Sequence, residues 1–148
     1  MKEKILDAFK ALGFEMEDMV VGYDFQYEGK HYLYMYNEDD EDFLNIALPA
    51  VHSMDDEDTL GFYQLIDKIN ATLKYVKANT INDSIWLFYE RELLGGEDLK
   101  QVISCMILHL ESGFRYLGMT TAGMEDNGDS TPDASDCDTD TNNGEDAA

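Results

Sequence analysis

Between Lys2 and Leu12 the apolar residues Ile5, Leu6, Phe9 and Leu12 fall three and four apart, the spacing that lines one face of an α-helix. Gly13 follows where a left-handed C-cap is favoured. The period then changes. In Met19 to Tyr27, Val21, Tyr23, Phe25 and Tyr27 alternate with Gly22, Asp24 and Gln26, and in His31 to Tyr36, Leu33 and Met35 alternate with Tyr32, Tyr34 and Tyr36. A two-residue period predicts strands, and Glu28-Gly29-Lys30 between them predicts a hairpin, with glycine supplying a positive φ. The polar run Asn37 to Asp42 reads as a loop before a third strand, Phe43 to Leu48, limited by Pro49.

The helical period returns at Leu60, Tyr63, Leu65, Ile66 and Ile69, so a second helix is predicted to about Ala71. The acids Asp55 to Asp58 stand at its positive end, with Asp58 or Thr59 as the N-cap. Leu73 to Ile81 and Ser84 to Leu93 form a second predicted hairpin about Asn82-Asp83, residue types that tolerate positive φ. Past Gly95-Gly96, the residues Leu99, Val102, Ile103, Met106, Leu110, Phe114 and Leu117 define a third helix opened by Glu97 and Asp98. The order α-β-β-β-α-β-β-α predicts an α+β fold with helices packed on an antiparallel sheet. Apolar patterning stops after Gly118. Residues 1–120 are therefore expected to form one domain, and residues 121–148, rich in Asp, Thr, Asn and Ser, a disordered acidic tail.

That succession of elements resembles the type III secretion chaperone-like fold, including the YbjN-type family of bacterial regulators, over about residues 2 to 118. The residues that carry the resemblance are Ala11 to Phe14 (ALGF), Leu44 to Ala50 (LNIALPA) and Leu65 to Leu94, where a helix ending in an Asn-containing segment leads into a strand pair and then a final helix. The resemblance implies a homodimeric, non-enzymatic domain that offers apolar surface to an extended segment of a partner. The acidic tail is not part of the family pattern.

Composition narrows the partners. Ten basic against 32 acidic residues give a formal charge of -22, which repels phosphate backbones and anionic lipid and argues against nucleic acid and membrane surfaces. Residues 125 to 148 hold nine acids and no base, leaving 23 acids and ten bases in residues 1 to 124. The charged N-terminal helix is unlike a secretory signal, and no apolar run reaches the roughly 18 residues of a membrane span. Cys105 lies in an apolar helical run and Cys137 in the polar tail, a poor pair for a disulfide, so a reducing cytoplasm is expected.

Candidate chemistry is sparse. An EF-hand loop begun at Asp136 requires Gly and Glu where Thr141 and Ala147 stand. Cys105 and His109 share a helical face without a second ligand pair, so a packed thiol and a partly exposed imidazole are the simpler expectation and no metal is assigned. Glu90 and Glu92 share a strand face, but a catalytic dyad needs burial. No nucleophile elbow, P-loop or dinucleotide fingerprint occurs, so neither a cofactor nor an enzymatic activity is expected. The aromatic strand faces are more informative. Tyr32, Tyr34 and Tyr36 project to one side of a strand, and Trp86 and Phe88 to one side of another. They either pack beneath a helix or form an exposed binding face. On the second reading they are the anchors for a protein client, with Glu38, Asp39, Asp40, Glu41 and Asp42 as an acidic rim. The competing reading is an acidic decoy that holds a basic protein electrostatically, largely through the tail.

Overall fold

A computed structural model describes residues 1–121. The expectations for Cys137, the oxygen-rich stretch from Asp136 and the tail beyond Thr121 lie outside these residues.

Helix α1 spans Lys2–Ala11 and buries Ile5, Ala8 and Phe9, one stripe of its surface. The Leu12 N–H reaches back to the Ala8 and Phe9 carbonyls, and Gly13 at φ +96° turns the chain away. Four strands follow: β1 (Glu17–Met19), β2 (Gly22–Tyr27), β3 (Lys30–Met35) and β4 (Phe43–Ser53). Helix α2 (Thr59–Thr72), strands β5 (Lys77–Ile81) and β6 (Ser84–Glu92), and helix α3 (Leu99–Thr121) complete the order. The six strands form one antiparallel sheet, β1-β2-β3-β4-β6-β5.

Three strands depart from the sequence reading. The strand expected from Met19 breaks at Val20-Val21, so that Met19 pairs with Gly22 and β1 folds back along β2. Gly22 makes this possible. It sits at φ +146°, and a Cβ there would lie 2.1 Å from the Tyr34 carbonyl oxygen. Strand β4 also runs on through Pro49. A bulge between Leu48 and His52, with Ala50 at φ +50°, absorbs the proline before pairing resumes at His52 opposite Ile85.

Both predicted hairpins form, with Glu28 and Gly29 at φ +52° and +75°, and Asn82 and Asp83 at +52° and +60°. Asp58 caps α2, its Oδ1 accepting the Gly61 N–H at 3.0 Å. Strand β5 starts later than the apolar pattern suggests, and Asn70, near the end of α2, reaches its outer edge. There the Asn70 Nδ2 donates to the Ala78 carbonyl at 2.9 Å while its Oδ1 accepts the Ala78 N–H at 2.7 Å.

All three helices pack on one face of the sheet. Ile5 and Phe9 of α1, Phe62, Leu65 and Ile69 of α2, and Ile103, Met106 and Leu110 of α3 join Phe25, Leu44, Ile46, Ile85 and Leu87 of the strands in a single buried cluster.

Candidate functional site

The register assigns every strand residue to a face. Tyr34 stands opposite Ile46, and Ile46 opposite Tyr89, in a row beneath the helices. The neighbouring row, Asp24, Leu33, Ala47, Phe88 and Lys77, lies on the other side. On that second face Leu33, Ala47 and Phe88 are 6%, 0% and 7% exposed, and the cluster they form draws on strands alone. Half-buried Met35, Ile81 and Trp86 close over them, with the Trp86 and Phe88 rings stacked at 6.0 Å. The helix-free face is thus an apolar layer held by side chains of the sheet itself, bordered by exposed Met19 and Phe43.

Polar groups frame this layer. Asp24 pairs with His31 at 3.0 Å and Glu90 with Lys77 at 2.7 Å. Asn45 donates from Nδ2 to Glu90 at 3.1 Å, while its Oδ1 is buried without a hydrogen-bond donor among the described residues. A buried acceptor left unmatched costs on the order of 1–3 kcal/mol, so it calls for an explanation.

The five aromatic anchors expected from the sequence do not share a face. Trp86 and Phe88 lie on the helix-free side. Tyr32 and Tyr34 are 0% and 1% exposed beneath the helices, where Tyr34 packs on Phe9 at 5.5 Å and Tyr32 stacks on Phe25 at 5.5 Å. Tyr36 is half-buried on the same side, under the Lys2 ammonium at 4.8 Å. Glu38, Asp39, Asp40, Glu41 and Asp42 are exposed on a short 3-10 turn, as a rim would be. They stand beside Phe43 and its partner Glu92, however, six residues along β6 from Trp86, or about 20 Å. Glu41 is also drawn to the N-terminal ammonium at 3.6 Å.

One cluster escaped the sequence reading. Glu111, 7% exposed in the middle of α3, accepts a hydrogen bond from the Tyr32 hydroxyl and is paired with Lys30 at 3.2 Å. Lys30 also lies over the Phe114 ring at 4.9 Å. Burial first, and then this carboxylate, drives the Tyr32 hydroxyl well above its ordinary pKa. The available signal was an acid within the apolar helical stripe, four residues after Ile107 and three before Phe114. With a cation and a hydroxyl both committed to it, Glu111 pins α3 to the start of β3.

The remaining candidates are structural. His109 is buried between Tyr75 and Tyr89, with ring centres at 4.8 and 5.7 Å, which corrects the partly exposed imidazole expected for it; Cys105 is half-buried. Glu90 and Glu92 are exposed, unlike a buried dyad. Among the described residues no three His, Cys, Asp or Glu side chains gather as a metal-ligand set. An open cleft of about 390 Å³ lies between the start of α2 and the end of α3. Of its lining groups, Asp58 is engaged in its cap, His52 is stacked on Phe62, and the Thr121 hydroxyl donates to the Leu117 carbonyl. No described helix is long and apolar enough to cross a membrane.

Three helices on one side of a six-stranded antiparallel sheet, with no helix on the other side among the described residues, define an α+β protein with a YbjN-type fold. The structure is similar to the crystal structure of YbjN from E. coli, a candidate transcription regulator, with a TM-score of 0.59 over 83% of this chain and 93% of that one. Sequence identity is 10%, so the likeness is one of fold. No family model matches the sequence, and no curated protein matches it.

Proposed function

We propose that this chain is a non-enzymatic protein-binding module, chaperone-like or a regulatory adaptor, that holds a client segment on the helix-free face of its sheet. The observation that carries this reading is the apolar layer of Leu33, Ala47, Phe88, Met35, Ile81 and Trp86, which no helix covers among the described residues. Apolar surface kept on one side of a sheet in so acidic a chain is the kind of patch that marks a protein interface. The YbjN-type fold, borne by a candidate regulator, supports the same reading.

Trp86 is the outer anchor, stacked on Phe88 beneath it. Tyr32, Tyr34 and Tyr36 hold β3 from the opposite side, and Glu38 to Asp42 form an acidic border at the Glu92 end. In this reading residues 1–120 are the binding domain and residues 121–148 an acidic appendage, in a cytoplasmic protein. The test is affinity capture from native lysate with the full chain and with a Trp86→Ala, Ile81→Ser variant. Loss of the captured client with an unchanged thermal midpoint supports the module; retention of every client sinks it. Removing residues 125–148 checks the electrostatic decoy, which predicts a large loss of affinity where the module predicts little change.

A further inference from the structure

The charges around the helix-free face are sorted. Acidic Glu17, Asp24, Glu90 and Glu92 all fall on it by register, whereas of the chain's ten Lys and Arg residues only Lys77 does. Lys77 is committed to Glu90 and cannot offset the rest. Two occupants are disfavoured on this ground. A second copy pressed face to face would oppose like charges, and the chain's own residues 125–148 carry nine acids and no base.

Asn45 supplies the second observation. Its register neighbours are Met35 on β3 and Glu90 on β6, one row from Leu33, Ala47 and Phe88. Its Nδ2 is fixed on Glu90, so the orphaned Oδ1 is set by that bond and is not an arbitrary choice of amide orientation. The Oδ1 has no surface open to solvent, so an incoming segment must shift the side chains around it. Once reached, an unmatched acceptor beside a carboxylate, next to an apolar layer, is the complement of a cationic N–H donor carried on an apolar segment. A guanidinium fits best, because its several coplanar donors can engage a carboxamide oxygen and a neighbouring carboxylate together.

We infer that this face recognises an arginine-bearing apolar segment of a partner protein, its aliphatic side chains on Met35, Trp86 and Ile81 and its guanidinium on Asn45 and Glu90. This inference rests on the binding-module reading and names the chemistry of its client. Asn45 is kept polar for recognition although an apolar residue would suit the fold better.

The probe is a synthetic peptide of about ten residues with valine and arginine taking turns at every second position and serine between them, so that both project from one side of an extended segment long enough to cross the sheet's width, with analogues carrying glutamate for arginine or serine for valine. Trp86, the chain's single tryptophan, reports binding by its emission. Saturable binding of the first peptide with a shift in emission is expected, at least about tenfold tighter than either analogue. Asn45→Leu is expected to weaken binding about tenfold while leaving the thermal midpoint unchanged or raised. Glu90→Gln with Glu92→Gln weakens it comparably, whereas Glu3→Gln with Asp7→Asn on α1 leaves it unchanged. Equal losses from the two acid pairs, binding that leaves the emission unmoved, or equal affinity for the glutamate peptide would each overturn the inference. If clients captured from lysate still depend on Trp86 and Ile81 in that event, the module stands and only the arginine preference falls; if they do not, the module itself falls.

Discussion

A carboxylate that keeps only 7% of its surface in water, as Glu111 does, depends on the groups that replace the water. Lys30→Met removes one of them and leaves the charge exposed to the core, so a loss of about 3 kcal/mol is expected in urea denaturation. Tyr32→Phe removes the other and is expected to cost about 1–2 kcal/mol. The same hydroxyl gives a pH signature. Its pKa is raised above the ordinary 10.0 by burial and then by Glu111, so its contribution is fully present below pH 10 and is lost as pH rises beyond that. Wild-type unfolding midpoints should therefore fall more steeply above pH 10 than those of Tyr32→Phe. Glu97 shows the opposite sense. Burial acts to raise its pKa, but the N–H groups of Leu94 and Gly95 and the Arg91 guanidinium outweigh that and hold it below 4.5. Its contribution is present above pH 4.5 and lost as pH falls through the lowered value, so Glu97→Gln should be less stable than wild type at neutral pH and converge with it in acid.

Helix α2 begins where one side chain says it should. A Cβ on Gly61 would lie 2.2 Å from the Asp58 Oδ2, so glycine leaves the cap its room, and Asp58→Ala is expected to cost about 1 kcal/mol by thermal unfolding. Asp58, the Asn82-Asp83 turn and the stripe of α3 were legible because each is a local chemical preference, satisfied within a few residues of the chain. The Val20-Val21 turn was not, because valine gives no turn signal and the cause lies across the sheet, at the Tyr34 carbonyl. Nor was the bulge that lets β4 pass Pro49. The faces of β3 were ambiguous for another reason. Leu33 and Met35 alternate with three tyrosines, both sets are apolar enough to bury, and only the pairing with β4 shows which set meets the helices. The smaller part of the candidate site was therefore legible: Trp86 and Phe88 but not Leu33, Met35 or Asn45, whose place follows from register.

For the whole molecule, the charge of -22 bears on solubility and on partner choice more than on fold. The homodimer implied by the family resemblance is checked by sedimentation at micromolar concentration, where a monomer alone would count against it. The ends of the sheet set a limit on any such assembly. On β5 the Asn70 carboxamide already occupies the Ala78 N–H and C=O, the groups an incoming strand would need. At the other margin β1 is three residues long, and all three are exposed. A ladder that is stoppered on one side can add a rung only on the other, so copies joined by their margins end at two and do not run on into a fibre. Asn70→Ala pulls the stopper, and slow growth of light scattering on incubation, absent from wild type, is the expected result.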